Sequence, residues 1–237
     1  MTMTLHISDG GKGGVGKSTT ANALVNYLSG QGGKVLIIET DTQNPDVIRC
    51  TTNSKRKIAG LYADLRTEDG WNDLLELIES YAGKIDHAVM SLPGADLNTA
   101  KYVPLTREVC QGSGVDIFHY FTINRQLDSL NLLAKSIKDG FASIATRRAV
   151  VMNGLNGERS KFERWDESDV KEESNAVEIY LPELYWKTQD AFAQAGTTYD
   201  EFAASAKTTL LQSRVSQWTK AVNLEFAKMT TEAEEQA

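Results

Sequence analysis

The sequence predicts an α/β fold in which a largely parallel β-sheet is flanked by helices on both faces. Short apolar runs of the fully buried strand type, such as residues 35–38, alternate along the chain with amphipathic segments such as residues 71–80. This alternation is typical of parallel strands joined by crossover helices. The chain has 237 residues and is 41% hydrophobic, which predicts one domain over residues 1–237.

The individual elements follow from the same patterns. The predicted strands are residues 4–7, 35–38, 87–90, 115–121, 148–152 and 177–181. The predicted helices are residues 18–28, 71–80, 127–137, 187–195 and 209–228. The last helix carries an apolar stripe at helical spacing, so we expect it to dock on the body of the protein; the stripe is Leu211, Val215, Trp218, Val222 and Phe226. Residues 157–174 are charged and poorly periodic, which predicts an exposed excursion.

A glycine-rich loop between the first strand and the first helix fills every fixed position of the phosphate-binding pattern G-x-x-x-x-G-K-[ST]. Its residues are Gly11, Lys12, Gly13, Gly14, Val15, Gly16, Lys17, Ser18 and Thr19. Glycines let the backbone wrap a triphosphate with its N–H groups turned inward, and the following helix N-terminus adds partial positive charge. Lys17 would face the β- and γ-phosphates, and the Ser18 hydroxyl can bind Mg²⁺. We therefore expect these residues to bind a nucleoside triphosphate with Mg²⁺.

Lys12 indicates a particular type of phosphate-binding loop, because the general pattern tolerates any residue at that position. The string Lys-Gly-Gly-Val-Gly-Lys-Ser over residues 12–18 resembles the deviant loop of the ParA/MinD family of ATPases. The resemblance implies ATP as the nucleotide, catalytic roles for Lys12 and Lys17, and a homodimer that forms with ATP. In that family the extra lysine reaches across the dimer to the partner's ATP.

The residues after the second strand extend the resemblance. Glu39-Thr40-Asp41-Thr42-Gln43 stands where the family usually has Asp-x-Asp-Pro-Gln. Asp41 aligns with the aspartate that orients the attacking water and supports the Mg²⁺ shell, which implies a catalytic and metal-binding role here. Glu39 keeps the charge of the family's first aspartate on a longer arm. An acid that only caps a turn at the strand end is the alternative interpretation of Asp41.

The third strand departs from the family at its end. The family's Walker B aspartate corresponds to Ser91, whose hydroxyl could bond a water but supplies no carboxylate. Asp96 is close in sequence and is a candidate replacement. We therefore expect ATP to bind and to be hydrolysed slowly, with the metal site depending on Asp41.

Two later segments resemble the family's adenine-binding residues. Asn153 follows the strand at 148–152 and matches the asparagine that contacts the base, although a turn-forming role before Gly154 is the alternative. Pro182 lies in an Ile-Tyr-Leu-Pro-Glu segment that resembles the apolar-proline segment beside the base.

Composition bears on the cellular location of the protein. No apolar run is long enough to span a bilayer, and Met-Thr-Met-Thr leads directly into a strand without a signal peptide. The two cysteines, Cys50 and Cys110, are too few for a disulfide framework. We expect a cytoplasmic protein with no stable membrane insertion.

Charge suggests where a polyanion could bind. The formal net charge is −7, and residues 158–201 hold 12 acidic and 5 basic residues, so the rest of the chain is balanced. An acidic face discourages polyanions only where it lies. Non-specific DNA contacts should therefore come from basic residues outside 158–201; the candidates are Lys55, Arg56, Lys57, Arg214, Lys220 and Lys228. A partner regulatory protein is the other expected contact, with the acidic face as its first candidate surface.

These observations predict an ATP-dependent dimerisation switch that positions or segregates cargo, in plasmid partition or stability or in conjugative DNA transfer. One alternative is a nucleotide-gated scaffold with little hydrolysis, which Ser91 keeps open. A second is a reductase of the nitrogenase iron-protein type, which would need Cys50 and Cys110 to hold a cluster at the dimer axis. A third is an amide ligase that shares the sheet but usually lacks Lys12.

Overall fold

Seven strands form one sheet in the part of the chain that the computed structural model describes, residues 2–94 and 99–234, with only the helical backbone described for 231–234. The strands are β1 (Thr4–Asp9), β2 (Val35–Glu39), β3 (Ile58–Tyr62), β4 (His87–Ser91), β5 (Asp116–Ile123), β6 (Arg147–Asn153) and β7 (Val177–Leu181). Their order is β3-β2-β4-β1-β5-β6-β7, and every pairing is parallel. The predicted fold class is therefore confirmed.

Helices cover both faces of this sheet. They are α1 (Lys17–Gly30), α2 (Asp46–Arg49), α3 (Glu68–Tyr81), α4 (Thr99–Gly112), α5 (Leu127–Asp139), α6 (Glu163–Asp166), α7 (Asp169–Ser174), α8 (Trp186–Ala195), α9 (Tyr199–Ala204) and α10 (Thr209–Glu234). Alternate strand residues face opposite sides: Ile37 packs with α1 and α10, whereas Leu36 and Ile38 pack with α3 and α4. A third apolar cluster joins β5 and β6 to helices α5–α7.

The strand register brings the predicted site residues together. Central β1 lies between β4 and β5, with Ser8 opposite Ser91, and Glu39 of β2 is also opposite Ser91. Because the carboxyl ends of parallel strands meet at one edge of a sheet, the glycine loop, the residues after β2 and Ser91 lie at the same edge.

The edge strand β3 is absent from the sequence-based prediction. Its sequence Ile-Ala-Gly-Leu-Tyr has a glycine at its centre and several exposed residues, so it lacks the apolar run of a buried strand. Gly60 is required where α2 crosses the strand, since a Cβ there would lie 2.9 Å from Cγ1 of Ile48. Packing against α2, rather than an apolar run in its own sequence, therefore accounts for the formation of this strand.

The prediction that residues 157–174 form an exposed excursion is correct only in part, because most of these residues are exposed but the segment is anchored to the body of the protein. Phe162 and Trp165 are almost fully buried in the cluster beneath α5. Arg159 bonds to both Asp166 and Glu178, at 2.6 and 2.8 Å, and so fastens the segment to β7. Asp166 also pairs with Lys171, so three of the charged residues in this segment are joined in one network.

The C-terminal helix docks on the body as predicted. Val215, Trp218, Val222 and Phe226 are buried against the face that holds α1. Glu225 accepts a hydrogen bond from the Tyr180 N–H at 2.8 Å, which caps a free backbone donor on the edge strand β7. None of the helices in the described ranges is long and apolar enough to cross a membrane.

Candidate nucleotide-binding site

The glycine loop joins β1 to α1 through backbone conformations that favour glycine. Gly14 and Gly16 have φ angles of +78° and +108°, in the left-handed region. A Cβ on Gly16 would lie 2.0 Å from Nδ2 of Asn153, so the loop and the end of β6 touch at this point. Gly13 and Gly14 have no atom within 4 Å of a Cβ position, which leaves that side of the loop open.

Lys17 lies inside this loop. Its ammonium donates to the backbone oxygen of Lys12 at 2.7 Å, and the Ser8 hydroxyl donates to the Lys17 carbonyl at 2.9 Å. Burial lowers the pKa of Lys17, while the charges of Asp9 and Asp41 act in the opposite direction. The lysine is thus a buried cation enclosed by the loop backbone and close to two carboxylates.

Lys12 is directed away from the loop that carries it. Its ammonium forms an ion pair with Asp128 of α5 at 2.7 Å, and its side chain is 42% exposed. The two lysines of the loop therefore occupy different environments, one enclosed and one at the surface.

The segment after β2 is held by a network of short-range hydrogen bonds. Oδ1 of Asp41 accepts from the N–H groups of Gln43 and Asn44 at 3.2 and 3.1 Å. Glu39 is buried, and its Oε2 accepts from the Val47 N–H at 3.0 Å. Burial raises the pKa of Glu39 to about 7, against the lowering effect of these backbone donors.

Ser91 lies buried at the end of β4. Thr40 donates its hydroxyl hydrogen to the Ser91 backbone oxygen at 2.5 Å, which connects the β2 end to the β4 end. Just beyond, Gly94 packs on the glycine loop, where a Cβ would lie 2.8 Å from the Gly13 nitrogen. The candidate replacement Asp96 lies outside the described residues.

The residues predicted to contact the base adjoin one another. Oδ1 of Asn153 accepts from the Leu155 N–H at 2.9 Å, whereas its buried Nδ2 has no hydrogen-bond partner within the described part of the chain. The loop after β6 packs on the loop after β7, because a Cβ on Gly154 would lie 2.4 Å from the Glu183 nitrogen. The carbonyl of Pro182 accepts from Nε1 of Trp218 at 2.6 Å. A buried amide donor without a partner in the described residues thus lies against the glycine loop at Gly16.

Comparison with known proteins identifies the family. Residues 9–188 match the family described as CobQ/CobB/MinD/ParA nucleotide binding domain. The chain belongs to this family. A curated relative, Protein MobD of Acidithiobacillus ferrooxidans, is 32% identical over 195 residues, which cover 80% of this chain and 82% of the relative.

Solved structures of ParA/MinD proteins share the fold. The septum site-determining protein MinD of Pyrococcus horikoshii, in complex with Mg-ADP, aligns over 98% of both chains with a TM-score of 0.60 and 16% identity. A chain of the MinC:MinD cell division protein complex of Aquifex aeolicus aligns over 92% of this chain and 94% of that chain, with a TM-score of 0.56 and 16% identity. The predicted relation to ParA/MinD ATPases is confirmed.

Within this ParA/MinD fold, two acidic residues contribute to the loop region in ways that the sequence analysis missed. Asp9 accepts from the Gly10 N–H at 2.6 Å and is 3.0 Å from Nε2 of the buried His119, so it fixes the start of the loop. Asp128 is the partner of Lys12. An acid directly before the glycines could have pointed to Asp9, but no local pattern links Asp128 to a lysine 116 positions earlier.

The two cysteines do not lie together in this ParA/MinD protein. Cys50 packs in the core beneath α1, and Cys110 packs in the core beneath α3 on the opposite face of the sheet. Burial raises the pKa of the Cys50 thiol to about 11 and that of Cys110 to about 12. Thiols on opposite faces cannot serve one cluster, which argues against the iron-protein alternative. The described residues also contain no group of three or more His, Cys, Asp or Glu side chains able to hold a metal ion.

Proposed function

We propose that the protein binds and hydrolyses ATP as a dimerisation switch that handles DNA cargo, in plasmid partition or stability or in conjugative transfer. The observation that carries the proposal is the separation of the two loop lysines. Lys17 is enclosed by its own loop, whereas the Lys12 ammonium lies at the surface and pairs with Asp128 of α5. A lysine that served only its own nucleotide would not need the exposed position.

The loop fits a nucleotide in three respects. Gly13 and Gly14 present open backbone, Lys17 supplies an enclosed cation, and Nδ2 of Asn153 is a buried donor without a partner in the described part of the chain. A buried unpaired amide is costly, so an acceptor on the adenine ring would satisfy it. These features support ATP as the ligand, with the base beside Asn153 and Pro182.

Asp41 and Ser18 are the residues that would hold Mg²⁺. Both supply the hard oxygen ligands that this ion prefers, and few protein ligands are needed when phosphate and water complete the shell. When bound, Mg²⁺ offsets the charge of the phosphate oxygens. Asp41 would hold the attacking water through its carboxylate, and its charge already acts on Lys17.

In the proposed dimer, Lys12 would leave Asp128 and reach the phosphates bound by the second copy. A cation placed where negative charge develops stabilises the transition state, so dimer formation and hydrolysis become linked. The 32% identical relative named MobD is what favours a DNA mobilisation role over one in cell division. The ParA/MinD relation and Lys12 together favour the switch over an amide ligase.

The test is the mass of the full chain in solution, measured by light scattering with ADP, ATP and a non-hydrolysable ATP analogue. We expect a monomer with ADP and a dimer with ATP. Lys17→Ala should lose ATP affinity in calorimetry with an unchanged circular dichroism spectrum, whereas Lys12→Ala should bind ATP and remain monomeric. The exposed Lys138 offers the control variant Lys138→Ala. A Lys12→Ala protein that dimerises and hydrolyses ATP at wild-type rates would overturn the proposal.

A nucleotide-gated scaffold is the second candidate, and Ser91 is the observation that favours it. This buried residue replaces the Walker B carboxylate beside the loop. Measured ATP turnover with and without duplex DNA separates the candidates. A switch predicts that Asp41→Ala lowers turnover by about 10²–10⁴-fold, and that Ser91→Asp raises it. A scaffold predicts negligible turnover in the wild type and an ATP-dependent dimer that both variants leave unchanged.

A further inference from the structure

Glu39 is a buried carboxylate at the end of β2, only 1% exposed. No lysine or arginine of the described residues forms an ion pair with it. Burying a carboxylate is costly unless hydrogen bonds compensate for the lost hydration. The side chain must therefore gain its compensation from the groups around it, and those groups show what it does.

The compensating donors are backbone N–H groups of the segment that follows. Oε2 accepts from the Val47 N–H at 3.0 Å, and Oε1 accepts from the Asp41 N–H at a longer 3.4 Å. The Ile48 N–H also stabilises the ionised form. One carboxylate thus joins the two ends of the loop over residues 41–47.

The length of the glutamate arm matters for this arrangement. Asp41 is two residues from Glu39, but Val47 is eight residues away, at the start of α2. A side chain at the strand end must cross the base of the loop to reach both.

The rest of the loop is fastened at other points. Thr40 bonds to the Ser91 backbone oxygen, and Thr42 accepts from Arg66 at 2.9 Å. Asp41 bonds through Oδ1 to the N–H groups of Gln43 and Asn44, so its carboxylate orientation depends on the course of that short turn. Holding the two ends of the loop together therefore fixes the direction of Asp41.

We propose that Glu39 is a positioning residue for Asp41, holding the loop over residues 41–47 closed so that the Asp41 carboxylate stays directed at the nucleotide site. This inference rests on the proposed function, since it assigns Asp41 to hydrolysis. Glu39 does not touch the phosphates in this role; it acts through the backbone that carries Asp41.

Glutamine at position 39 removes the clamp with little change in volume. Its amide oxygen can accept one N–H, but its NH₂ group would face the other N–H as a second donor. Aspartate retains both acceptors and the charge on a shorter arm, so Glu39→Asp serves as the conservative variant. Glu201→Gln is the matched control, because Glu201 likewise accepts backbone N–H bonds from two segments, Lys55 and Thr198, at 2.7 and 3.1 Å, in the capping box of α9.

The experiment measures kcat and KM for ATP in a double-mutant cycle of Glu39→Gln with Asp41→Ala. Hydrogen exchange of the amides of residues 41–48 is measured in parallel on the same full-length proteins, and circular dichroism verifies folding. We expect Glu39→Gln to lower kcat roughly tenfold or more with KM within about twofold, to add nothing in the Asp41→Ala background, and to speed exchange at Asp41 and Val47. Glu39→Asp should recover part of kcat, and Glu201→Gln should leave kcat unchanged.

Several outcomes overturn the inference. They are a wild-type kcat in Glu39→Gln, a loss that adds fully to that of Asp41→Ala, and unchanged exchange at Val47. If Glu39→Gln fails to fold, the Glu39→Asp cycle with Asp41→Ala decides: the shorter arm predicts a smaller loss of kcat that vanishes in the Asp41→Ala background and faster exchange at Val47, and a loss that adds fully or an unchanged exchange at Val47 overturns the inference. Absence of turnover in the wild type would count against the proposed hydrolysis, and exchange at Asp41 and Val47 would then decide the clamp alone.

Discussion

The ammonium of Lys12 lies 2.7 Å from the carboxylate of Asp128, and this ion pair crosses from the glycine loop to α5. Lys12 lowers the pKa of Asp128 through its hydrogen bond and its charge, so this arrangement favours the ionised carboxylate. Both side chains are substantially exposed, and exposed ion pairs in water are weak. The pair can therefore hold Lys12 in one chain and release it to a stronger anion.

The first prediction concerns this competition. Asp128→Asn removes the charge that retains Lys12 but keeps the shape of the side chain. We expect ATP-dependent dimerisation to strengthen by about two- to fivefold, because the released lysine no longer has to leave an ion pair. Titration of the dimer by light scattering measures the effect.

The control for this prediction is Asp73→Asn, which neutralises an exposed acid on α3. It removes the same charge from the protein as a whole, so it corrects for non-specific repulsion between two acidic chains. Equal dimerisation of both variants would show that Asp128 does not restrain Lys12.

The second prediction separates two glycines of the loop. Gly16→Ala introduces a Cβ 2.0 Å from Nδ2 of Asn153 at a φ of +108°, whereas Gly13→Ala meets no atom within 4 Å. We expect Gly16→Ala to lower the free energy of unfolding by about 1–3 kcal/mol, and Gly13→Ala to leave it nearly unchanged. Urea unfolding without nucleotide measures both. Equal stability of the two variants would contradict the assigned contact between the loop and Asn153.

The third prediction concerns acid stability. His6 is buried, with Nδ1 3.2 Å from the Tyr120 hydroxyl and Nε2 3.2 Å from Nδ1 of His87, and Phe118 packs against its ring. Burial, and then the charge of His87, hold the pKa of His6 well below its usual value. His6 binds a proton near pH 6.5 in the unfolded chain but only at lower pH in the folded chain. The free energy of unfolding therefore decreases as pH falls below about 6.5.

The measurement is the free energy of unfolding in urea at pH values from roughly 7.5 to 5, with a slope of up to about 1.4 kcal/mol per pH unit from His6. His6→Gln retains hydrogen-bonding capacity without titrating, and we expect it to flatten the dependence below about pH 6.5. An unchanged slope in the variant would assign the effect to other groups, including His87, whose pKa is also lowered by burial.

The sequence predicts the parts of this fold that rest on local rules. The glycine loop is one such part, because positive φ angles favour glycine and phosphate binding calls for a lysine. The buried strands are another, because their apolar runs mark them. β3 is missed because Gly60 fits the crossing of α2, which no local pattern encodes. The packing of residues 157–174 is missed because the buried Phe162 and Trp165 lie among charged residues, so no apolar period marks them, and the Arg159–Asp166 pair that flanks them forms only in the fold.

Within the site, contacts between distant segments could not be predicted. Parallel topology brings the residues at the ends of β1, β2 and β4 to one sheet edge. It does not specify the side-chain partners at that edge, because Glu39 reaches Val47 and Lys12 reaches Asp128 through tertiary packing. Residue type indicates the chemistry of a site, and long-range packing determines which groups use it.

The last prediction concerns DNA binding, and contacts within the fold engage two of the candidate basic residues. Arg56 is committed to the fold, since it bonds to Asp200 at 2.7 Å and to the Asn26 carbonyl at 2.8 Å. Lys228 bonds to Glu225 at 2.7 Å. The exposed lysines beside Arg56, Lys55 and Lys57, are therefore the first residues to test for phosphate contacts.

Phosphate neutralisation releases counterions, so the logarithm of DNA affinity should fall linearly with the logarithm of salt concentration. If Lys55 and Lys57 each contact a phosphate, Lys55→Gln/Lys57→Gln should reduce that slope by about 2 and weaken binding equally on unrelated duplexes. Lys84→Gln/Lys138→Gln removes the same charge from two exposed lysines elsewhere and should leave the slope nearly unchanged. Gel shifts with ADP, ATP and a non-hydrolysable analogue across a salt series measure this, and we expect binding only in the ATP states, because pairing two copies doubles a weak basic patch. Equal salt slopes for both double variants would exclude residues 55–57 as the DNA-binding surface. The absence of a gel shift in every nucleotide state at low salt would exclude DNA as a direct partner, and a protein partner would then have to connect the switch to its cargo.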